Sequence, residues 1–328
     1  MQQTAFAAPA EPGIALPRPT LTWVARAAAF ALGLVLLVAT FAKALDPRSF
    51  AEMLQNQGLT FGLPPMVAAV LALAVEGGLG LLLVLGIRRR WSLAAVTLLV
   101  IGFVTLNGWE WWRAAHGAPP AAGCGCFGNL VQRSPAAAFW QDLAMLVPLL
   151  LLSWLALPRD SRALPPRRTA AAVVGIAAIA MLAWRAPELP LDDVATRLKP
   201  GVELSQLCAG KEPRVCLDDV LPDAASGRAW VVLVDLEQGE HWADALNAFA
   251  AGQSTPVMAL ASATPEEKTA FTWQWGPTFP VHEADAALLR PLYRTLPRSF
   301  LVEDGRVLRT VPGLPAAGHP DVPGDSTQ

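Results

Sequence analysis

Five stretches of this chain are too long and too apolar to be surface helices of a water-soluble protein. They run at about 21–42, 65–87, 91–112, 137–157 and 169–184. The first four approach or exceed the roughly 20 residues that carry an α-helix across a hydrocarbon core. The last is shorter and Ala-rich, and it reads as a fifth crossing. Only 16% of the residues are charged, against about 25% in an ordinary soluble protein. Trp23, Trp91, Trp109, Trp111, Trp112, Trp140, Trp154 and Trp184 lie near the ends of the apolar runs, where an indole sits between lipid and water. Residues 1–20, rich in Ala, Pro and Gln, show no period and read as a flexible tail. A cleaved signal peptide ending at Ala42-Lys43-Ala44 is the rival for the first run. That run is long for a signal core, and its basic residues are only Arg18 and Arg26.

Charge divides the chain in two. Residues 1–185 hold 14 Lys+Arg and 7 Asp+Glu, a balance of +7, and residues 186–328 hold 11 and 20, a balance of −9. A basic, apolar half is followed by an acidic, polar one, so the expectation is a membrane bundle and then an aqueous domain. The acidic domain argues against a nucleic-acid partner, which needs a basic face; membrane lipid is the expected surrounding. With the N-terminus in the cytoplasm, the inner side carries Arg18, Arg26, Arg88, Arg89, Arg90, Arg159, Arg162, Arg167 and Arg168. The outer side carries Lys43, Arg48, Arg113, Arg133 and Arg185. Nine against five agrees with the positive-inside rule. Five crossings then place both cysteine pairs, Cys124/Cys126 and Cys208/Cys216, outside a cytoplasmic membrane, where disulfides persist. With four crossings the C-terminal domain would be cytoplasmic.

Residues 186–200, with Pro187, Pro190 and Pro200, read as a linker, and residues 314–328 as a loose tail. Between them the pattern is α/β. Residues 230–236 form an apolar strand. Residues 241–251 have helical spacing, with Trp242, Ala245, Leu246 and Phe249 on one face. A second strand follows at 256–261. Thr264-Pro265-Glu266-Glu267 is a helix start, a short strand is expected at 279–281, and a helix at 284–293. Residues 299–302 and 307–311 flank Glu303-Asp304-Gly305-Arg306 as a hairpin. This order resembles a thioredoxin-like domain over residues 201–313. The resemblance makes Pro297 the expected cis-proline. It places Gly239 and Trp242 where that family carries its two thiols, so the domain is expected to bind rather than to exchange disulfides itself.

Several residues stand out for chemistry. Gly123-Cys124-Gly125-Cys126-Phe127-Gly128 sets two thiols one residue apart among glycines. A disulfide there would be strained, hence oxidising and exchangeable. A structural disulfide or free thiols is the alternative, and a metal site is disfavoured because only His116 is near and zinc takes four ligands. Cys208 and Cys216 enclose a short polar loop. A disulfide between them is worth about 2.5 kcal/mol, and the pair is either structural or a shuttle for Cys124/Cys126. Glu76 stands mid-span at a cost of about 3 kcal/mol, which the apolar residues around it outweigh. It reads as a proton-transfer group, a quinone contact, a partner of Lys43 or Asn107, or a carboxyl hydrogen-bonded across helices. Asp142 reads as reaching the outer surface. Lys43-Ala44-Leu45-Asp46-Pro47 reads as an interfacial turn with a snorkelling lysine.

Three segments together resemble the MauE family of methylamine-utilisation membrane proteins, related to DoxX-like four-helix proteins. They are Phe41-Ala42-Lys43-Ala44-Leu45-Asp46-Pro47 with Phe50, then Glu76-Gly77-Gly78-Leu79-Gly80-Leu81-Leu82-Leu83 with Gly86 and the arginines, then Cys124-Gly125-Cys126-Phe127-Gly128. They fall within residues 21–157; residues 158–185 would be an Arg-rich loop and the fifth helix. The resemblance implies a part in maturing exported, disulfide-bonded amine dehydrogenase beside a thioredoxin-like partner, MauD, here fused. The expected function is therefore accessory thiol–disulfide chemistry on exported clients. Cys124 and Cys126 would exchange, and Glu76 would assist transfer, with a quinone as the cofactor in view. A non-catalytic assembly factor or anchor is the alternative.

Overall fold

The computed structural model describes residues 18–117, 134–155, 165–210 and 214–315. The membrane part comprises α1 (Arg18–Ala44), α2 (Pro47–Asn56), α3 (Pro65–Val84), α4 (Arg90–Ala115), α5 (Pro135–Trp154) and α6 (Pro166–Arg185). Among the described residues five helices, all of these but α2, are long and apolar enough to cross a membrane. They give the chain the architecture of a multi-pass membrane protein. The fifth crossing is a full 20-residue helix. It exceeds the apolar run because Pro166 opens it and Arg167 and Arg168 fill its first turn.

Contacts between helices fix their directions. Gly33 and Lys43 of α1 meet Gly80 and Glu76 of α3, so these two helices are antiparallel. Asn107 and Thr97 of α4 meet Asp142 and Trp154 of α5, again antiparallel. Ile179 and Gly175 of α6 meet Gly77 and Leu81 of α3. One end of the bundle therefore gathers the C-terminus of α1, all of α2, the end of α4, the start of α5 and the end of α6. Small residues make this packing possible. A Cβ on Gly33 would lie 2.7 Å from the Gly80 carbonyl oxygen, and one on Gly77 would lie 2.9 Å from Thr40 Cγ2. Apolar side chains facing away from the bundle, such as Leu98, Ile101 and Val174, are exposed, as lipid-facing residues should be.

The C-terminal domain is a five-stranded sheet between helical layers. Its elements are α7 (Asp192–Ala195), β1 (Cys208–Ala209), β2 (Val215–Cys216), α8 (Leu217–Val220), α9 (Pro222–Ala225), β3 (Arg228–Leu233) and α10 (Ala243–Ala251). There follow β4 (Val257–Ala261), α11 (Pro265–Trp275), β5 (Val281–Glu283), α12 (Ala286–Leu289), β6 (Arg298–Glu303) and β7 (Arg306–Pro312). The sheet order is β5-β4-β3-β6-β7. Strands β3, β4 and β5 are parallel, whereas β6 is antiparallel to β3 and β7 to β6. This is a β–α–β unit closed by a hairpin, the arrangement expected from the sequence. Alternation along β3 serves two cores. Ala229, Val231 and Leu233 pack with Leu217, Leu221 and Leu288, while Trp230 and Val232 pack with Leu246, Phe249 and Phe271. The hairpin turns on Asp304 (φ 48°) and Gly305 (φ 75°), the two positive φ angles that a tight type I′ turn requires.

Two elements differ from expectation. The helix expected over 284–293 is one turn of α12 followed by a 3-10 turn, Arg290–Leu292, because Pro291 has no N–H to continue the ladder. The short strand begins at Val281, with Pro280 contributing only its carbonyl, to Ala259 N at 2.9 Å. The connection at 186–200 is fastened to the domain. The Arg298 side chain, 1% exposed, donates to Thr196 Oγ1 (2.6 Å), Leu292 O (2.7 Å), Leu198 O (3.1 Å) and Asp193 Oδ1 (3.2 Å). Burial pulls this guanidinium below its ordinary pKa, with Asp192 and Asp193 opposing. Arg294 donates to Ala186 O and Leu189 O, and Arg290 pairs with Glu52 of α2. The domain is thus tied to the end of the bundle that carries α2.

Candidate functional site

The site begins where α1 stops. The Asp46 carboxylate accepts from Ser49 N and Pro47 opens α2, a cap and a first-turn proline that together start a new helix. Ala51 and Leu54 of α2 are buried with Ala68 and Ala69 of α3. This places Phe50 beside the last turn of α1. Lys43, in that turn, does not snorkel. It is 3% exposed, and its Nζ donates to Glu76 Oε1 (2.9 Å) and Oε2 (2.7 Å). The Phe103 and Phe50 rings lie 4.8 and 5.4 Å from the ammonium. The lysine turns inward, away from the interface expected for it, because pairing with a mid-span carboxylate offsets two desolvation costs that each group would otherwise bear alone in hydrocarbon. Gly77 and Gly80, next to Glu76, let α1 come close enough for the lysine to reach it. The Glu-Gly-Gly-Leu-Gly run thus joins charge and close packing in one segment.

A second polar contact ties α4 to α5. Asn107 Nδ2 donates to Asp142 Oδ2 at 2.7 Å, and Asp142 is fully buried. The expectation that Asp142 reaches the outer surface is overturned, because an aromatic cluster of Trp111, Phe139 and Trp140 lies one turn nearer the end of the bundle. Asn107 therefore serves Asp142 and not Glu76. Glu110, 5% exposed, pairs with Arg113 at 3.4 Å. Sequence reasoning passed over Glu110. Its signal was present, since Phe103, Leu106, Asn107 and Glu110 follow helical spacing on one face.

These groups enclose a cavity of about 410 Å³ between α2, α3 and α4. Lys43 and Glu76 lie at its polar end, Asn107 and Glu110 line it from α4, and the rest of the wall is mostly apolar.

The cysteines divide differently. Cys124 and Cys126 lie outside the described residues. Cys208 and Cys216 form a disulfide joining β1 to β2, and it takes up the one sulfur of the Cys216, Asp218 and Asp219 cluster. Gly239 lies in the turn after β3 and Trp242 just before α10. A Cβ on Gly239 would stand 2.7 Å from Trp275 Nε1 and 3.0 Å from Phe271 Cε2. Trp242 is buried, stacked on Phe271 at 5.1 Å, and donates from Nε1 to Asp235 O at 2.9 Å. Aromatic rings pack closely around both positions. Gly239→Cys should therefore destabilise the full chain by about 1–3 kcal/mol through overpacking. Thermal unfolding checks this, and an unchanged melting temperature would refute it. The Leu296–Pro297 peptide is cis and leads into β6.

Fold and site define a polytopic membrane protein with a buried ion pair beside a lipid-level cavity and an α/β domain fused to one end of its bundle. Its membrane part is similar to a known family: residues 21–155, which hold α1 to α5, match the family model described as methylamine utilisation protein MauE. Neither the curated proteins nor the solved structures contain a match to the chain.

Proposed function

We propose that this chain is a methylamine-utilisation accessory protein of the cytoplasmic membrane that assists thiol–disulfide chemistry in the maturation of exported proteins. The observation that carries this reading is the common end of the bundle. The chain leaves α4 at Gly117 and re-enters α5 at Ser134 on the end where the α/β domain is attached. Cys124 and Cys126 fall between those points in the sequence, which supports reading them on the same side of the membrane as the Cys208–Cys216 disulfide. The arginine asymmetry supports an orientation with that end outside the cytoplasm.

In the proposed cycle a client thiolate attacks one sulfur of a Cys124–Cys126 disulfide. A mixed disulfide forms and the other sulfur leaves as thiolate. A second client thiolate then attacks the client's own sulfur in that mixed disulfide. The client is oxidised, the pair is reduced, and the two protons lost by the client thiols are taken up by the Cys124 and Cys126 thiolates. The α/β domain, with no dithiol at Gly239 and Trp242, holds the client or a partner. The amine dehydrogenase implied by the family resemblance is the first client to examine.

Alkylation of intact cells with a membrane-impermeant maleimide tests the reading. Cys124 and Cys126 should label only after mild reduction, and Cys124→Ser should abolish mixed disulfides with clients. Trapping that persists undiminished in the variant would sink the exchange role. A second reading, a non-catalytic anchor, is favoured by the aromatic filling at Trp242. It requires that all four cysteines be replaceable without loss of client maturation.

A further inference from the structure

We infer that the cavity between α2, α3 and α4 binds a membrane-soluble quinone, with its ring at the Lys43–Glu76 end. The inference rests on the thiol-oxidation reading only for its purpose: a reduced cysteine pair needs a two-electron acceptor to return to the disulfide. The cavity itself supplies the chemistry. Its volume, about 410 Å³, is that of a small-ligand site, and Met53, Leu71 and Leu106 give it an apolar wall at the level of the lipid. Its polar end is self-compensated, since the Lys43 ammonium is matched by the Glu76 carboxylate. Glu110 on the wall is likewise paired, with Arg113 at 3.4 Å, so no uncompensated cation is left there to hold an anion. A fatty acid or a phosphate headgroup is disfavoured there, and a neutral head is preferred.

The shape and hydrogen-bonding groups narrow that head further. Phe50 and Phe103 both line the cavity and flank the ammonium, so a flat ring is the natural neighbour. Two of the three lysine N–H groups go to Glu76, which leaves a donor suited to a ring carbonyl. Gln57, also on the wall, has a buried Oε1 without a hydrogen-bond partner, an acceptor suited to a ring hydroxyl. A site offering both a donor and an acceptor accommodates the oxidised and the reduced ring. In the reaction the dithiol gives up two electrons and two protons, the disulfide forms, and the quinone becomes the quinol.

The test uses the full chain in lipid nanodiscs and a decyl-tailed benzoquinone, with binding measured by calorimetry. Saturable binding is expected, weakened at least tenfold by Leu106→Trp and separately by Met53→Trp, each of which fills the cavity. Leu98→Trp, on the lipid-facing side of α4, should bind as the unmodified chain does. Absence of saturable binding, or equal binding in both filled variants, would overturn the inference. So would displacement of the probe by equimolar oleate, which would make the cavity an acyl-chain pocket. Maleimide labelling keeps the two readings apart. Quinone binding without cycling thiols would defeat the exchange role alone, and thiols that cycle normally in a chain without saturable quinone binding would defeat the quinone site alone.

Discussion

Lys43→Met is expected to cost the bundle about 3–5 kcal/mol, the penalty for leaving one member of a buried ion pair without its partner. Lys43 and Glu76 are 3% and 2% exposed, and the two Lys43–Glu76 hydrogen bonds join α1 to α3. Removing the ammonium leaves the carboxylate among Phe50, Phe103 and the apolar wall. The double variant Lys43→Met with Glu76→Leu should recover most of the loss, because a buried ion pair replaced as a unit by apolar groups is often neutral or better. Unfolding in mixed micelles, read as a double-mutant cycle, measures the coupling directly. Strictly additive single losses would show that the two groups do not stabilise each other. The double variant also separates structure from chemistry. A bundle that is stable but no longer matures clients would place the pair in function, and one that still matures them would confine it to packing.

Arg298→Met is the second large effect, about 2–4 kcal/mol from buried acceptors left without their donor, here in the α/β domain. Its guanidinium serves Thr196, Leu198, Leu292 and Asp193 from a position 1% exposed. Methionine fills much of the volume and supplies none of the donors. The carbonyls of Leu198 and Leu292 would be left buried without that partner, which is the costly half of losing a hydrogen bond. Hydrogen exchange should rise first over residues 192–198, because this arginine is what clamps that segment to the start of β6. Protection there equal to that of the unmodified chain would mean that apolar packing, with Leu198 in the core, holds the segment by itself.

Much of the architecture was readable in one dimension. The five crossings, the tryptophans at their ends and the split of charge all follow from local composition, because a bilayer selects for apolar length whatever the tertiary contacts. The β–α–β order and the Asp304-Gly305 turn were readable for a similar reason, since backbone periodicity and the φ preferences of a two-residue hairpin are local. The resemblance carried by Lys43, Glu76 and the glycines pointed to the right segments, and the family match over residues 21–155 agrees with it.

What the sequence by itself determined is therefore where water is excluded and which residues carry charge into that region. Which charges meet was decided only by the tertiary structure. Lys43 looked like a residue that would reach for the interface, and it turns inward because Glu76 lies across the helix interface. Asn107 was a possible partner for Glu76, and Asp142 takes it instead. Glu110 lines a cavity that exists only once α2 packs beside α3 and α4. Each outcome depends on the rotation and separation of two helices, set by glycine contacts such as Gly33 with Gly80. Lys43 and Glu76 stand 33 residues apart, a separation that no local pattern spans. A buried charge must find its counter-charge across such a gap, and only packing brings the two together.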